Sequence, residues 1–203
     1  AAFPSSFSYG NDAVETVSYD PDGAKKLLEE SGWTDTDGDG YVDKDGQKLS
    51  INWLTYPTRL EQPKLAEYAQ ATLKDIGIDV VVNNTSDHMT IAKSGDFDVY
   101  VSSTTTAPTG DPEYFFTSTV TGSKNYGNYQ NEEVTKLTDQ LHQTFDKDER
   151  GKLAIELQQD ILDDDAYFFV SHLNMGIVTK SNVKGMAAHP CDYYEITAEL
   201  DVE

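Results

Sequence analysis

A tyrosine and an arginine stand close together where a β-strand is expected to end. Tyr56 and Arg59 follow the alternating segment 51–55 and precede an amphipathic segment that begins near residue 61. Open α/β sheets bind ligands at the carboxyl ends of their strands. There an arginine can hold a ligand carboxylate through two parallel hydrogen bonds, and a tyrosine ring can offer a flat apolar wall. The alternative is an ordinary solvated arginine that pairs loosely with Glu61.

A second polar loop, residues 102–110, follows the apolar segment 97–101, which predicts a buried strand, and the candidate ligand loop within this region is 104–111. Its hydroxyl and backbone groups are therefore expected at the carboxyl edge of the sheet. The candidate ligand-binding residues of this loop are Thr105, Thr106, Pro108, Thr109 and Asp111. For Asp111 we predict a main role as the cap of a short helix, because proline follows it at the first helical position.

The acidic loop 34–46 has the spacing of a calcium-binding loop. Its carboxylates at relative positions 1, 3, 5 and 9 belong to Asp35, Asp37, Asp39 and Asp43. An EF-hand needs a bidentate glutamate at position 12, where this chain has Gly46. We therefore favour a tight turn whose Asp and Gly residues suit the backbone, and adventitious calcium is the alternative.

No arrangement typical of an enzyme stands out in the sequence. The four histidines, His88, His142, His172 and His189, show no HxH or HExxH spacing. The single cysteine, Cys191, excludes an internal disulfide and lacks an activating neighbour. The sequence also lacks GxSxG, P-loop and GxGxxG motifs. We therefore expect a protein that is not an enzyme and has no cofactor.

The composition excludes two classes of partner. The 203 residues carry 15 Lys and Arg against 36 Asp and Glu, which gives a formal net charge of −21. Nucleic acids and anionic membrane surfaces attract clustered Lys and Arg, so we expect neither to bind. No apolar run reaches the roughly 18 residues that a membrane-spanning helix needs, and we expect no membrane insertion of this chain.

Hydrophobic periodicity predicts the elements that must position these loops. A short helix begins at Pro21, with Asp20 as its cap and Gly32 as its stop. Further helices are predicted at about 61–76, 87–92, 112–118, 131–143 and 147–162. Strands are predicted at 51–55, 79–83, 97–101, 167–170 and 176–179, with a short one near 196–200. On the helix 61–76, the predicted buried face comprises Leu65, Tyr68, Ala69, Leu73 and Ile76.

The alternation of strands and helices predicts an α/β fold with a mixed sheet flanked by helices. No linker rich in Pro, Gly and Ser divides the chain. Residues 1–203 are therefore predicted to form a single domain.

Taken in series, several segments resemble the peptide/nickel family of extracellular solute-binding proteins, the capture subunits of ABC importers. The resemblance runs from about residue 18 to residue 186. Its segments are the Tyr-x-x-Arg-x-Glu-x-Pro pattern at 56–63, the Ala-Pro and Asp-Pro pairs at 107–112, and the stretches 125–137, 148–150, 164–169 and 182–185. Nothing here resembles the amino-terminal lobe of the family. The resemblance implies the carboxy-terminal lobe of a type II periplasmic-binding-protein-like fold.

The resemblance also implies a function. The chain would be part of a substrate-binding component that captures a small peptide or a nickel or other metal chelate when two lobes close. Its partners would be the missing amino-terminal lobe and a transporter permease. The location would be extracellular or periplasmic, with the full-length protein anchored as a cell-surface lipoprotein.

Two departures from the family pattern bear on the ligand. Peptide binders of this family usually have a tryptophan, and an aspartate that pairs with the peptide amino terminus, where this chain has Thr105 and Pro108. This favours the metal chelate. Some nickel-binding relatives offer a histidine where this chain reads Ser-Lys-Asn-Tyr at 123–126, so we expect no direct protein ligand for nickel. The alternative from another class is a secreted, calcium-stabilised interaction module built around residues 35–43.

Overall fold

The computed structural model describes residues 1–174, 176–188 and 196–203. His189 and Cys191 therefore lie outside the described residues. The chain forms two compact units. We name Val17–Ser103 the sheet unit, and Ala1–Thr16 together with Thr104–Glu203 the helical unit. Each unit has its own hydrophobic core, and the single domain over residues 1–203 stays a prediction.

The sheet unit opens with helix α1, Pro21–Glu30. Asp20 caps it, since its side chain accepts a hydrogen bond of 2.9 Å from the Gly23 amide. Gly32 ends it in the left-handed conformation, at φ +84°. The predicted start and stop are both confirmed. A small antiparallel hairpin follows, formed by β1, Asp43–Lys44, and β2, Gln47–Lys48.

A parallel three-stranded sheet then places the first candidate loop. Its elements are β3, Ser50–Thr55; α2, Glu61–Lys74; β4, Asp79–Asn84; α3, His88–Ser94; and β5, Val99–Tyr100. The strand order is β4-β3-β5, and both pairings are parallel. The α/β class is therefore confirmed. The β3–α2 loop emerges at the carboxyl end of the central strand.

Helix α2 packs on this sheet through a stripe that differs from the predicted one. Gln62 and Ala66 are buried, and Leu65, Ala69 and Leu73 are partly buried. Tyr68, however, is 71% exposed. It lies two residues beyond Ala66, and helix positions two apart point to nearly opposite sides. The prediction that Tyr68 belongs to the buried face was wrong. The stripe packs on a core of Trp53, Ala66, Ile78, Val80 and Val101.

The helical unit is built around two long helices, α5, Glu132–Gln143, and α6, Lys147–Asp163. A side-chain cap precedes each helix, Asn131 for α5 and Asp146 for α6. The two helices bury their apolar stripes in one core, whose fully buried members include Phe3, Phe115, Phe116, Leu141, Leu157 and Ile161. Both helices lie where periodicity predicts them.

The short helix predicted at 112–118 is irregular. An α-helical turn, α4, covers Glu113–Phe115, and a π-helical turn continues it over Phe116–Val120. None of the helices in the described ranges is long and apolar enough to cross a lipid bilayer.

The predicted closing strands differ most from the structure. Residues 167–170 and 176–179 are not assigned to a strand. Their apolar pattern is typical of strands, but Phe168 is 86% exposed and Val178 is 97% exposed. A strand forms only when its backbone groups find a neighbouring strand. The tail strand begins at 201 rather than near 196: β6, Val183–Lys184, pairs antiparallel with β7, Asp201–Val202.

Candidate functional site

Arg59 is exposed on the loop that joins β3 to α2. Its guanidinium group has neither a hydrogen bond nor an ion pair with any other described residue. Leu60, at the N-cap of α2, supplies no side-chain cap, and the acidic side chain in the first turn of the helix is Glu61. Glu61 accepts a hydrogen bond of 3.4 Å from the Ser103 hydroxyl rather than pairing with Arg59. The guanidinium group of Arg59 is thus unoccupied, which suits an anion such as a carboxylate.

Tyr56 supports the same loop from inside the sheet unit. It is only 7% exposed, and its ring stacks on His88 with centroids 4.1 Å apart. Its hydroxyl oxygen accepts a hydrogen bond of 3.2 Å from the Ser103 amide. One face of the ring is thus covered by the histidine. The predicted contact between Tyr56 and a ligand stays a prediction.

Sequence analysis missed Gln62, which is buried in the first turn of α2. It is 2% exposed, and its side-chain amide donates a hydrogen bond of 2.6 Å to the Ser103 hydroxyl. Within the described part of the chain, its Oε1 and the Oγ1 of Thr55 are buried without a hydrogen-bond partner. Burying such polar atoms without a partner is unfavourable. One of them belongs to the last residue of β3 and the other to the first turn of α2, so both lie close in sequence to the candidate loop. The available signal was a polar residue four positions before Ala66 on the buried stripe.

The second candidate loop, residues 104–111, lies in the helical unit. Ala107 anchors it in the core, and the Tyr9 hydroxyl donates a hydrogen bond of 2.6 Å to the Gly110 carbonyl. The side-chain hydroxyls of Thr105, Thr106 and Thr109 form no hydrogen bond with another described residue. Pro108 is half-buried between them. The loop thus presents hydroxyl groups that are available to a ligand.

Asp111 closes this loop. Its Oδ1 accepts a hydrogen bond of 2.9 Å from the Glu113 amide, but the N-cap of α4 is Pro112, one residue later than predicted, and has no side-chain cap. Its carboxylate is also held by Arg150 through two hydrogen bonds of 2.8 and 2.6 Å. Burial opposes ionisation of Asp111, but the hydrogen bonds from Arg150 and the Glu113 amide outweigh it and lower the pKa of this carboxyl group. Both carboxylate oxygens are therefore engaged within the protein.

The acidic loop is organised as a turn. The carboxylate oxygens of Asp35, Asp37 and Asp39 lie within 4.8 Å of one another and are exposed. The Asp35 carboxylate accepts hydrogen bonds of 2.7 Å and 3.0 Å from the amides of Gly38 and Gly40. Such contacts are typical of aspartates that stabilise turns, as the favoured interpretation requires. Adventitious calcium binding by these residues stays the alternative.

The fourth candidate ligand for calcium, Asp43, is also engaged. It accepts hydrogen bonds of 2.9 and 2.7 Å from the amide and hydroxyl of Thr36. These bonds lower the pKa of the Asp43 carboxyl group. Its carboxylate thus closes the acidic loop from the β1 side.

Two of the described histidines lie within hydrogen-bonding distance of another side chain. His88 Nδ1 lies 2.8 Å from the Tyr100 hydroxyl, and His142 Nδ1 lies 2.6 Å from Glu113 Oε1. Burial is the main cause that lowers the pKa of His172. In the ranges that the structure describes, the one group of three acidic or histidine residues close enough to share a metal ion is the Asp35, Asp37 and Asp39 cluster.

The candidate residues are therefore divided between the two units. Tyr56 and Arg59 belong to the sheet unit, and the residues from Thr105 to Asp111 belong to the helical unit. Within each unit they lie on one loop, as the sequence predicts. That both loops meet one ligand stays a prediction.

Comparisons with known proteins place the chain in a family. A model of the bacterial extracellular solute-binding proteins, family 5 (middle region), matches residues 1–127. The chain is 30% identical to the oligopeptide-binding protein AppA of Bacillus subtilis over 200 residues, which cover 95% of this chain and 37% of AppA. It is 27% identical to the nickel-binding periplasmic protein of Escherichia coli over 93% of this chain and 37% of that protein. The chain thus spans well under half the length of these curated relatives.

Solved structures agree. AppA of Bacillus subtilis in complex with a nonapeptide matches with a TM-score of 0.78 at 27% identity, over 94% of this chain and 40% of that one. NikA of Brucella suis in complex with Fe(III)-EDTA matches with a TM-score of 0.68 at 26% identity, over 80% of this chain and 34% of that one. These relatives are binding proteins, which confirms the expectation that the chain is not an enzyme. On the family match and the similarity to AppA, this chain belongs to the bacterial extracellular solute-binding proteins of family 5.

Proposed function

We propose that this chain is part of the substrate-binding component of an ABC importer that captures a small peptide or a nickel or other metal chelate. Family membership supports this proposal, as do relatives that are named oligopeptide-binding and nickel-binding proteins. Because the chain spans 37% of AppA, the whole receptor would include a further, amino-terminal lobe. Capture would follow when the two lobes close on the ligand, whose contacts to both lobes offset the free energy of closure.

The observation that carries the proposal is the state of Arg59. Its guanidinium group is exposed and has no partner among the described residues. A ligand carboxylate would pair with this guanidinium group through two hydrogen bonds. Peptides and many metal chelators carry carboxylates, so Arg59 fits either class. The threonine hydroxyls of loop 104–111 are proposed as further ligand contacts.

Between the two ligand classes we favour the metal chelate. The aspartate that pairs with a peptide amino terminus in this family has no counterpart at Pro108. Asp111, the nearest carboxylate of the loop, is already engaged by Arg150 and by the Glu113 amide. A chelate needs no partner for an α-amino group. It can also carry its metal without a histidine from the protein.

The missing lobe also offers an explanation for exposed apolar side chains that follow α6. Phe168 and Val178 are 86% and 97% exposed on chain that belongs to no strand. We infer that the amino-terminal lobe covers such side chains in the whole receptor, where burial of each would stabilise the assembly by about 1.5–3 kcal/mol. The whole receptor would act outside the cytoplasmic membrane, as an extracellular or periplasmic protein, anchored as a lipoprotein and coupled to a permease.

Isothermal titration calorimetry tests the role of Arg59. The probes are Ni(L-His)2, which a NikA structure from Staphylococcus aureus contains, and a nonapeptide, as in the AppA complex. For whichever probe the wild type binds, we expect Arg59→Gln to weaken binding about tenfold, because a hydrogen bond to a charged group contributes about 1.5 kcal/mol. Lys64→Gln is the matched control, since Lys64 is also exposed and lies near the start of α2. Equal affinities of the two variants would reject Arg59 as the ligand contact.

A further inference from the structure

Arg150, near the start of α6, makes contacts that a surface ion pair does not require. Its side chain is 14% exposed and donates five hydrogen bonds. Two reach Asp111 at 2.8 and 2.6 Å, and one reaches Glu113 at 2.8 Å. The other two, both 2.6 Å long, reach the backbone carbonyls of Leu141 and Thr144, where α5 ends. One guanidinium group therefore ties Glu113, the first residue of α4, and Asp111, two residues before it, to the corner between α5 and α6.

Loop 104–111 depends on few other contacts. It has no helix or strand of its own, and Gly110 adopts φ +77°. Its anchors within the helical unit are the buried Ala107, the hydrogen bond from Tyr9 to the Gly110 carbonyl, and Asp111. Asp111 is the anchor at the carboxyl end of the loop. The direction of the loop therefore depends on Arg150, which holds the carboxylate of Asp111.

The hydrogen bond from the Glu113 amide alone does not account for this arrangement. That bond uses Oδ1 of Asp111, and it needs no arginine. Arg150 adds a bidentate grip on both oxygens of the same carboxylate. His142 approaches Glu113 Oε1 at 2.6 Å, while Arg150 holds Oε2 at 2.8 Å. Two carboxylates are therefore fixed in one orientation, which places the preceding loop.

We propose that Arg150 is a positioning residue for loop 104–111, which fixes the direction in which the hydroxyls of Thr105, Thr106 and Thr109 are presented. The proposal rests on the proposed function only in that these hydroxyls then meet the ligand. The planar guanidinium group can hold a carboxylate with two hydrogen bonds and donate to two carbonyls at once. A lysine ammonium is a point charge without this fixed fork, so it can replace the charge but not the geometry.

Backbone order parameters from ¹⁵N relaxation test the proposal on the chain itself. We expect the amides of Thr105, Thr106, Thr109 and Gly110 to have order parameters near 0.85 in the wild type, the value of rigid backbone. In Arg150→Met they should fall below about 0.6, and Arg150→Lys should restore them only in part. Lys152→Met is the charge control, since Lys152 lies on the same helix in an exposed pair with Glu149.

A second control separates positioning from stability. Leu157→Ala removes a fully buried apolar side chain of the same helix and lowers the melting temperature, but it takes no hydrogen-bonding group from Arg150 or from the loop. Each variant is measured at a temperature equally far below its own melting point. Under these conditions Arg150→Met should lower the order parameters of the loop amides, whereas Leu157→Ala should not. Equal order parameters in these two variants would overturn the proposal, and so would a loop that is already flexible in the wild type. If Arg150→Met does not fold, Arg150→Lys and Asp111→Asn are compared with Leu157→Ala in the same way and decide the outcome.

Binding of Ni(L-His)2 and of the nonapeptide distinguishes this inference from the proposed function. If the wild type binds a probe, we expect about tenfold weaker binding in Arg150→Met and unchanged binding in Leu157→Ala. Unchanged binding in Arg150→Met would remove the link to the ligand. If the wild type binds neither probe, the proposed function fails, while the order parameters still decide whether Arg150 positions the loop.

Discussion

Val42 and Gly77 are in direct contact, because the Val42 amide donates a hydrogen bond of 2.8 Å to the Gly77 carbonyl. The contact joins the end of the acidic loop to the turn that follows α2. A Cβ added at Gly77 would lie 2.9 Å from Val42 Cγ1. Gly77 also adopts φ +82°, a conformation that side chains other than glycine rarely take. Position 77 therefore requires glycine for two independent reasons.

We predict that Gly77→Ala lowers the free energy of unfolding by about 2 kcal/mol or more, because backbone strain and a steric clash add together. Denaturant unfolding measures the loss. Gly38→Ala is the matched control, since Gly38 has φ +81° but no heavy atom within 4 Å of an added Cβ. It should show the strain alone, about 1–2 kcal/mol. Equal losses in the two variants would mean that the contact with Val42 contributes nothing.

Calcium is expected to leave the stability of the chain nearly unchanged. The Asp35 carboxylate already accepts hydrogen bonds from the amides of Gly38 and Gly40, and Asp43 is held by Thr36. Melting curves in millimolar calcium and in EDTA should therefore coincide. A ligand that binds only the folded state at 100 times its dissociation constant adds about 2.7 kcal/mol. A shift of several degrees would revive the calcium-stabilised module, and its loss in Asp37→Asn would locate the site.

Asp160 should destabilise the chain at neutral pH. Burial is the first cause that raises its pKa, and the neighbouring acids Glu156, Asp163 and Asp164 raise it further. A carboxyl group with a raised folded-state pKa favours unfolding once the pH exceeds the unfolded-state value near 3.8. We therefore expect Asp160→Asn to melt higher than the wild type at pH 7, with the gap closing as the pH falls towards 3.8.

Asp139→Asn provides the control for this experiment. Asp139 is exposed on α5, and its substitution changes the net charge by the same amount. It should leave the melting temperature almost unchanged. A gain in Asp139→Asn equal to that in Asp160→Asn would assign the effect to the overall charge of −21 rather than to the position.

This chain alone should bind its ligand weakly. Contacts from the second lobe and the exclusion of water by that lobe would both be absent. We expect dissociation constants above about 1 µM for the nonapeptide and for Ni(L-His)2, that is, less than about 8.2 kcal/mol of binding free energy. Calorimetry on the chain and on a longer protein with the preceding lobe measures the difference. Submicromolar affinity of the chain itself would contradict capture by lobe closure.

The sequence predicted elements whose signals are local. Asp20, Pro21 and Gly32 mark the two ends of α1 within a few residues, and the structure has each in that role. The long helices α5 and α6 follow from the spacing of their apolar residues. The loops after β3 and after residue 101 also lie where the alternation of elements predicts them.

The features that the sequence did not predict depend on distant contacts. Arg150 and Asp111 are 39 residues apart, and no periodicity connects them. Gln62 is polar yet buried because its partner, Ser103, is 41 residues away. The strand expected at 167–170 has the correct apolar pattern but no partner strand in the described residues. Tyr68 fits an apolar stripe by type, and only the packing of α2 shows that it faces solvent.

The exposed chain around Phe168 and Val178 has a practical consequence for work on this polypeptide in solution. Extended segments with apolar side chains and unoccupied amide and carbonyl groups are templates for intermolecular β-pairing. Concentrated samples should therefore self-associate through the exposed residues 170–174 and 176–180, despite the repulsion expected from a strongly acidic chain. Supplying the preceding lobe in the same polypeptide should keep the protein monomeric.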